Sequence, residues 1–79
     1  MTFGEALDYL RDNERVHRRG WNGKGMWVHM QVPDEHSKMR LPYLYMHTVR
    51  GELVPWLASH TDILAEDWEI FGGDLSEDT

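Results

Sequence analysis

Met26-Trp27-Val28-His29-Met30-Gln31-Val32 alternates residue by residue, and that alternation decides the fold. Met26, Val28, Met30 and Val32 fall on one side and Trp27, His29 and Gln31 on the other, the period-2 pattern of a half-buried strand. The split returns downstream. In residues 43–48, Leu44 and Met46 stand opposite Tyr43, Tyr45 and His47, so each of two strands offers an apolar face and a face of aromatic and histidine side chains. The apolar face needs a cover.

The opening residues supply one. Thr2 followed by Glu5 has the form of a capping box, and Phe3, Ala6, Leu7 and Leu10 repeat at helical spacing until Asp12 and Asn13 stop the pattern. Residues 15–21 look extended. Trp21-Asn22-Gly23-Lys24-Gly25 then reads as a tight turn, Asn-Gly being the strongest short hairpin signal, which predicts a hairpin into residues 26–32. The loop over residues 33–42 is polar and basic. Arg50-Gly51-Glu52 turns into a short strand over residues 53–56, where Pro55 restricts the strand to an edge or an irregular pairing. Ser59 or Thr61 can cap a brief helical turn through Ile63, Leu64 and Ala65, and residues 68–71 form a last strand. The expected class is α+β: a small antiparallel sheet packed against an N-terminal helix, with a second short helix near the C-terminus. One domain covers residues 1–72, followed by an acidic, disordered tail at residues 73–79.

Seventy-nine residues bury a modest fraction of their surface, so self-association is expected. With no cysteine, neither a disulfide framework nor a thiolate metal site is available, and no apolar run approaches the roughly 20 residues of a membrane span. The opening residues also lack a secretory pattern, which points to the cytosol. All eight Lys and Arg precede Gly51, whereas residues 51–79 carry eight acids and no base. The net charge of -6 argues against wrapping DNA or RNA, whose binding is largely phosphate neutralisation. A small anionic ligand needs only a few local donors.

Four tryptophans are many for this length, and Trp21 and Trp56 sit at element ends, where an indole can face a pocket and stack on a base or simply belong to the core. Gly23-Lys24-Gly25 lacks the spacing and the Lys-Ser/Thr pair of a P-loop; it reads as a turn whose amides are free to meet a phosphate. The histidines His17, His29, His36, His47 and His60 have no metal-like spacing, so no metal site is expected, although His29 and His47 can meet across strands. Ser59, His60 and Asp62 invite a hydrolase reading. Neighbours in sequence rarely orient as nucleophile, base and orienter, and no nucleophile-elbow glycines flank Ser59, so no catalytic residue is assigned. Asp62, Glu66 and Asp67 read as charges near a short helix and on a solvated face.

Three blocks, the opening Met-Thr-Phe-Gly-Glu-Ala-Leu, residues 16–26 ending Gly-Trp-Asn-Gly-Lys-Gly-Met, and residues 55–68, Pro-Trp-Leu-Ala-Ser-His-Thr-Asp-Ile-Leu-Ala-Glu-Asp-Trp, together resemble the Thoeris anti-defence two family over residues 1 to about 70. The resemblance implies a phage or prophage protein that is not an enzyme, needs no cofactor, and sequesters glycocyclic ADP-ribose signals made by bacterial TIR proteins. It also implies a homotetramer with pockets between subunits. Carried over position by position, it places Trp21, Asn22, Gly23 and Gly25 of one motif, and Trp56, Ala58, Ser59, Thr61 and Asp62 of the other, around the ligand. Trp21 or Trp56 would stack on the base, the glycine amides would meet the diphosphate, and Asn22, Ser59, Thr61 or Asp62 would bond ribose or base edges. Some members also bind cyclic oligonucleotides at a separate site; here the loop between Val32 and Leu41 is short where longer members carry an insertion, and His60 stands where glutamine is common. A related domain acts as an anti-CRISPR protein, which makes inhibition of a defence nuclease the alternative. The aromatic face of the strands is an expected contact surface between subunits.

Overall fold

The computed structural model describes residues 1–22 and 24–72; Gly23 and the expected acidic tail at residues 73–79 lie outside the described residues. Its elements are α1 (Phe3–Arg11), β1 (Val16–Arg18), β2 (Trp27–Gln31), β3 (Tyr43–His47), β4 (Leu53–Pro55), α2 (His60–Leu64) and β5 (Trp68–Ile70). The α+β expectation is met. The strands form one antiparallel sheet in the order β4-β3-β2-β1-β5, so the chain crosses from one edge to the other through α2.

α1 begins where its capping box says it should: the Thr2 hydroxyl accepts from the Glu5 amide at 3.2 Å and the Glu5 carboxylate accepts from the Thr2 amide at 2.8 Å. It ends in Asn13, whose φ of 68° is a left-handed conformation that asparagine tolerates better than most residues. Ala6 and Leu10 bury against Val16, Val28 and Trp68, and Leu7, Met30, Leu44 and Met46 pack around that nucleus. The apolar sides of β2 and β3 therefore face α1, as their alternation requires. Pro55 sits on β4, an edge strand, where its missing N–H costs no second ladder. Among the described residues, no helix is long and apolar enough to cross a membrane.

β1 and β2 are consecutive antiparallel neighbours, as the expected hairpin requires, although Gly23 of the expected turn lies outside the described residues. β1 meets β2 only at Val16↔Val28, whereas Val16, His17 and Arg18 all pair with β5. β1 lies between β2 and β5 and pairs with each along a different edge. The Arg19 amide donates to the Asp67 carbonyl, the Gly20 amide to the Asp67 carboxylate and the Trp21 amide to the Arg18 carbonyl, so residues 18–21 turn against β5.

On the face away from α1, the aromatic and histidine side chains do assemble, with a different pairing from the one the sequence suggested. His29 lies across from Tyr45 and His47 across from Trp27, so the two histidines are offset and do not pair with each other. Trp27 is only 6% exposed: the His47 ring stacks on it at 4.9 Å, the Arg15 guanidinium lies 4.6 Å from its centroid, and Tyr45 and Phe71 flank it. Trp27 is thus covered by its own neighbours, while Tyr43, Tyr45, His29 and His47 stay half-buried on that face.

Candidate ligand-binding site

The two tryptophan motifs, 35 positions apart by their indoles' numbers 21 and 56, converge on the α1 side of the sheet. Trp21 follows β1 and Trp56 follows β4, and their rings meet edge-on at 6.3 Å. Trp68, at the start of β5, lies beneath both, 5.4 Å from Trp21 and 5.9 Å from Trp56, with Phe3 of α1 5.3 Å from Trp68. Edge-to-face contacts of this kind set the positive rim of one ring against the negative face of the next. Trp68 is 1% exposed and belongs to the core; Trp21 and Trp56 are half-buried and keep part of their surface outside it.

A carboxylate ties these rings to the second motif. Ser59 caps α2 reciprocally with Asp62: the Ser59 hydroxyl accepts from the Asp62 amide at 3.1 Å, and the Asp62 carboxylate accepts from the Ser59 hydroxyl at 2.9 Å and its amide at 3.3 Å. The other oxygen of Asp62 accepts from Arg18 Nη1 at 2.9 Å and from the Trp21 indole N–H at 3.4 Å, while the Asp62 carbonyl accepts from the Trp68 indole at 2.8 Å. A carboxylate has about four acceptor positions, and all are filled here.

Asp62 and Asp67 are therefore not on a solvated face, as their sequence context suggested. Arg18 forks between them, Nε reaching Asp67 at 2.8 Å, and the three side chains are only 17%, 14% and 23% exposed. β1 supplies the reason. Val16 points into the core, so Arg18, two residues on, points to the same side and needs acidic partners there. Burial pushes the Asp62 carboxyl up, but hydrogen bonds from Arg18, Ser59 and Trp21 outweigh it and hold the group below its ordinary value. The hydrogen bond from Arg18 likewise lowers Asp67, helped by the Gly20 amide, and the same bonds raise Arg18. Glu66 is exposed, in keeping with the expectation for it.

Not every expected residue gathers here. Asn22 and Thr61 are exposed and Ala58 half-buried, Asn22 lying just past Trp21 and Ala58 and Thr61 flanking the α2 cap. Gly25, with φ of 75°, is oriented elsewhere: its carbonyl accepts from His47 Nδ1 at 2.8 Å, next to Trp27 on the far face. Gly23 lies outside the described residues. Two clefts of about 180 and 290 Å³ also lie away from the tryptophans, the first lined by Gln31, Tyr43, Tyr45 and β4, the second by Gln31, Tyr43 and the loop from Pro33 to Met39. Neither includes Trp21 or Trp56. Among the described residues, no three His, Asp or Glu side chains come together as a metal site would need.

Arg18, Gly20, Asp67 and Trp68 were absent from the expected set. The signal for Arg18 was available: an arginine two positions beyond a buried valine on a strand, in a chain whose acids outnumber its bases after Gly51.

Comparison with known proteins identifies the family. The family model for the Thoeris anti-defense 2-like domain matches residues 1–71. A curated relative, "Thoeris anti-defense 2" of Bacillus phage SP01, is 34% identical over 83 residues, an alignment covering 89% of this chain and 93% of the relative. With the family model spanning residues 1–71 and this relative aligned over most of both chains, this chain belongs to the Thoeris anti-defense 2-like family.

Proposed function

We propose that this protein is a phage anti-defence factor that counters Thoeris by binding its nucleotide signal, glycocyclic ADP-ribose, and holding it intact. The observation that carries the reading is the convergence of Trp21 and Trp56, from two separate motifs, at 6.3 Å beside polar groups of the α2 cap. A half-buried indole offers a face to a nucleobase, a contact worth roughly 1 to 3 kcal/mol per base. Asn22, next in the chain to Trp21, and Thr61, in the first turn of α2, are exposed and would serve ribose or base edges; Asp62, its acceptor positions filled, contributes by holding Trp21.

The binding is non-catalytic. Of the three residues that suggested a hydrolase, Ser59 and Asp62 are bonded to each other as a helix cap and His60 is exposed at the start of α2. The pocket is completed by another copy of the chain within a homotetramer. Supporting this, the two tryptophans form an open patch, and Leu57 and Leu64 nearby in the chain are 92% and 78% exposed.

The test is to mix purified protein with signal-containing lysate from Thoeris-expressing cells, remove free ligand, heat-denature the protein and assay the supernatant for effector activation. Recovered activation is expected. Activity lost on mixing and never recovered would mean destruction of the signal; activity never lost would mean that the target is something else.

A further inference from the structure

We infer that Arg18 is a positioning residue of the candidate nucleotide site: its guanidinium fixes the Asp62 carboxylate, and through it the Trp21 indole, in the orientation that sets Trp21 beside Trp56. The ligand consequence rests on the sequestration reading above, whereas the orientation itself rests on geometry.

Arg18 reaches Trp21 by two routes. Through its side chain it holds Asp62 at 2.9 Å, whose same oxygen accepts from the Trp21 indole at 3.4 Å. That indole bond is long. It depends on a carboxylate that does not rotate, and the Ser59 cap anchors only the other oxygen. Through Asp67, held at 2.8 Å, Arg18 also fixes the backbone: Asp67 accepts from the Gly20 amide at 2.8 Å, immediately before Trp21. A Cβ on Gly20 would come within 2.9 Å of that carboxylate, so glycine is what allows the approach. One guanidinium thus spans two carboxylates that would otherwise repel each other. Lysine cannot replace it, because an ammonium is a point charge without the planar fork.

The experiment uses full-length ¹⁵N-labelled protein and follows the four indole N–H resonances in wild type, Arg18→Met and Arg18→Lys. In both variants the Trp21 resonance is expected to move while that of Trp27, on the far face, stays. Affinity for purified glycocyclic ADP-ribose is expected to fall about tenfold or more, with lysine failing to rescue. A folded Arg18→Met protein with an unmoved Trp21 resonance would overturn the inference. If that variant does not fold, wild type labelled with both ¹³C and ¹⁵N decides: acid titration should move the Trp21 resonance together with the Asp62 carboxyl signal, and a Trp21 resonance indifferent to Asp62 protonation would overturn it. Absence of glycocyclic ADP-ribose binding by the wild type would count against the sequestration reading instead, and the resonances would still judge Arg18.

Discussion

Two aromatic clusters occupy the two faces of one sheet, and they are held by different electrostatics. On the α1 side, Phe3, Trp21, Trp56 and Trp68 meet beside an ionised Arg18–Asp62–Asp67 group. On the far side, Trp27 and Tyr45 surround His29, whose ring nitrogens bond the Tyr45 hydroxyl at 2.9 Å and the Asn13 side-chain oxygen at 2.8 Å. Burial, with the Arg15 charge nearby, lowers the His29 pKa and favours the neutral ring. The comparison teaches that aromatic density alone does not mark a site. The α1-side cluster leaves two indoles half-buried beside a helix cap, whereas the far-side cluster has closed over Trp27 with its own side chains.

Core truncation should separate the clusters most. Trp68→Ala removes the ring on which Trp21 and Trp56 rest and should cost about 3–5 kcal/mol in chemical denaturation. It should also disperse the Trp21 and Trp56 indole resonances. Retention of both at their wild-type positions would mean that the cluster does not depend on its base.

Breaking the ionic link comes next. Asp62→Ala removes the carboxylate half of the α2 capping box and leaves Arg18 with one carboxylate, for an expected loss of about 2 kcal/mol, discounted because the group keeps some solvent contact. A loss no larger than that of an exposed ion pair would place the triad among ordinary surface charges.

Acid should then dismantle the clusters in sequence. His29 has a lowered folded pKa, so the unfolded chain binds its proton first, and stability falls as pH drops below the ordinary histidine value of 6.5 toward the folded one. Asp62 and Asp67 are also lowered, but as carboxylates: their contribution is full above the ordinary value of 3.8 and is lost as pH falls through the folded values. His29→Gln should abolish the first decline in stability and leave the second. A single decline in wild type would contradict the assignment. The smallest effect is expected at Arg19, whose 3.8 Å pair with Glu69 is exposed on both sides: Arg19→Ala should change stability by no more than about 0.5 kcal/mol.

The elements were largely legible because their signals were local. Thr2 and Glu5 announced α1, Ser59 announced α2, and the alternations of residues 26–32 and 43–48 announced two strands and the face that α1 covers. What could not be read was partner choice. The hairpin signal at Asn22-Gly23 names β2 as one neighbour of β1, but nothing local names the other, and Asp67, 47 positions from Gly20, holds the chain after β1 beside β5. The same distance hid the ionised group from the sequence. Asp62 and Asp67 look solvated until β1 is known to turn an arginine toward them. The tryptophan motifs were visible one at a time, but nothing local fixed their 6.3 Å approach, nor that Gly25 would bond His47 on the opposite face.

The most direct test of the central claim is to add purified glycocyclic ADP-ribose to ¹⁵N-labelled wild-type protein and watch the four indole resonances. The account predicts that Trp21 and Trp56 shift and saturate together, Trp27 stays in place, and the ligand is recovered unchanged. A shift confined to Trp27, or to the tyrosine-lined cleft beside β4, with Trp21 and Trp56 unmoved, would contradict it.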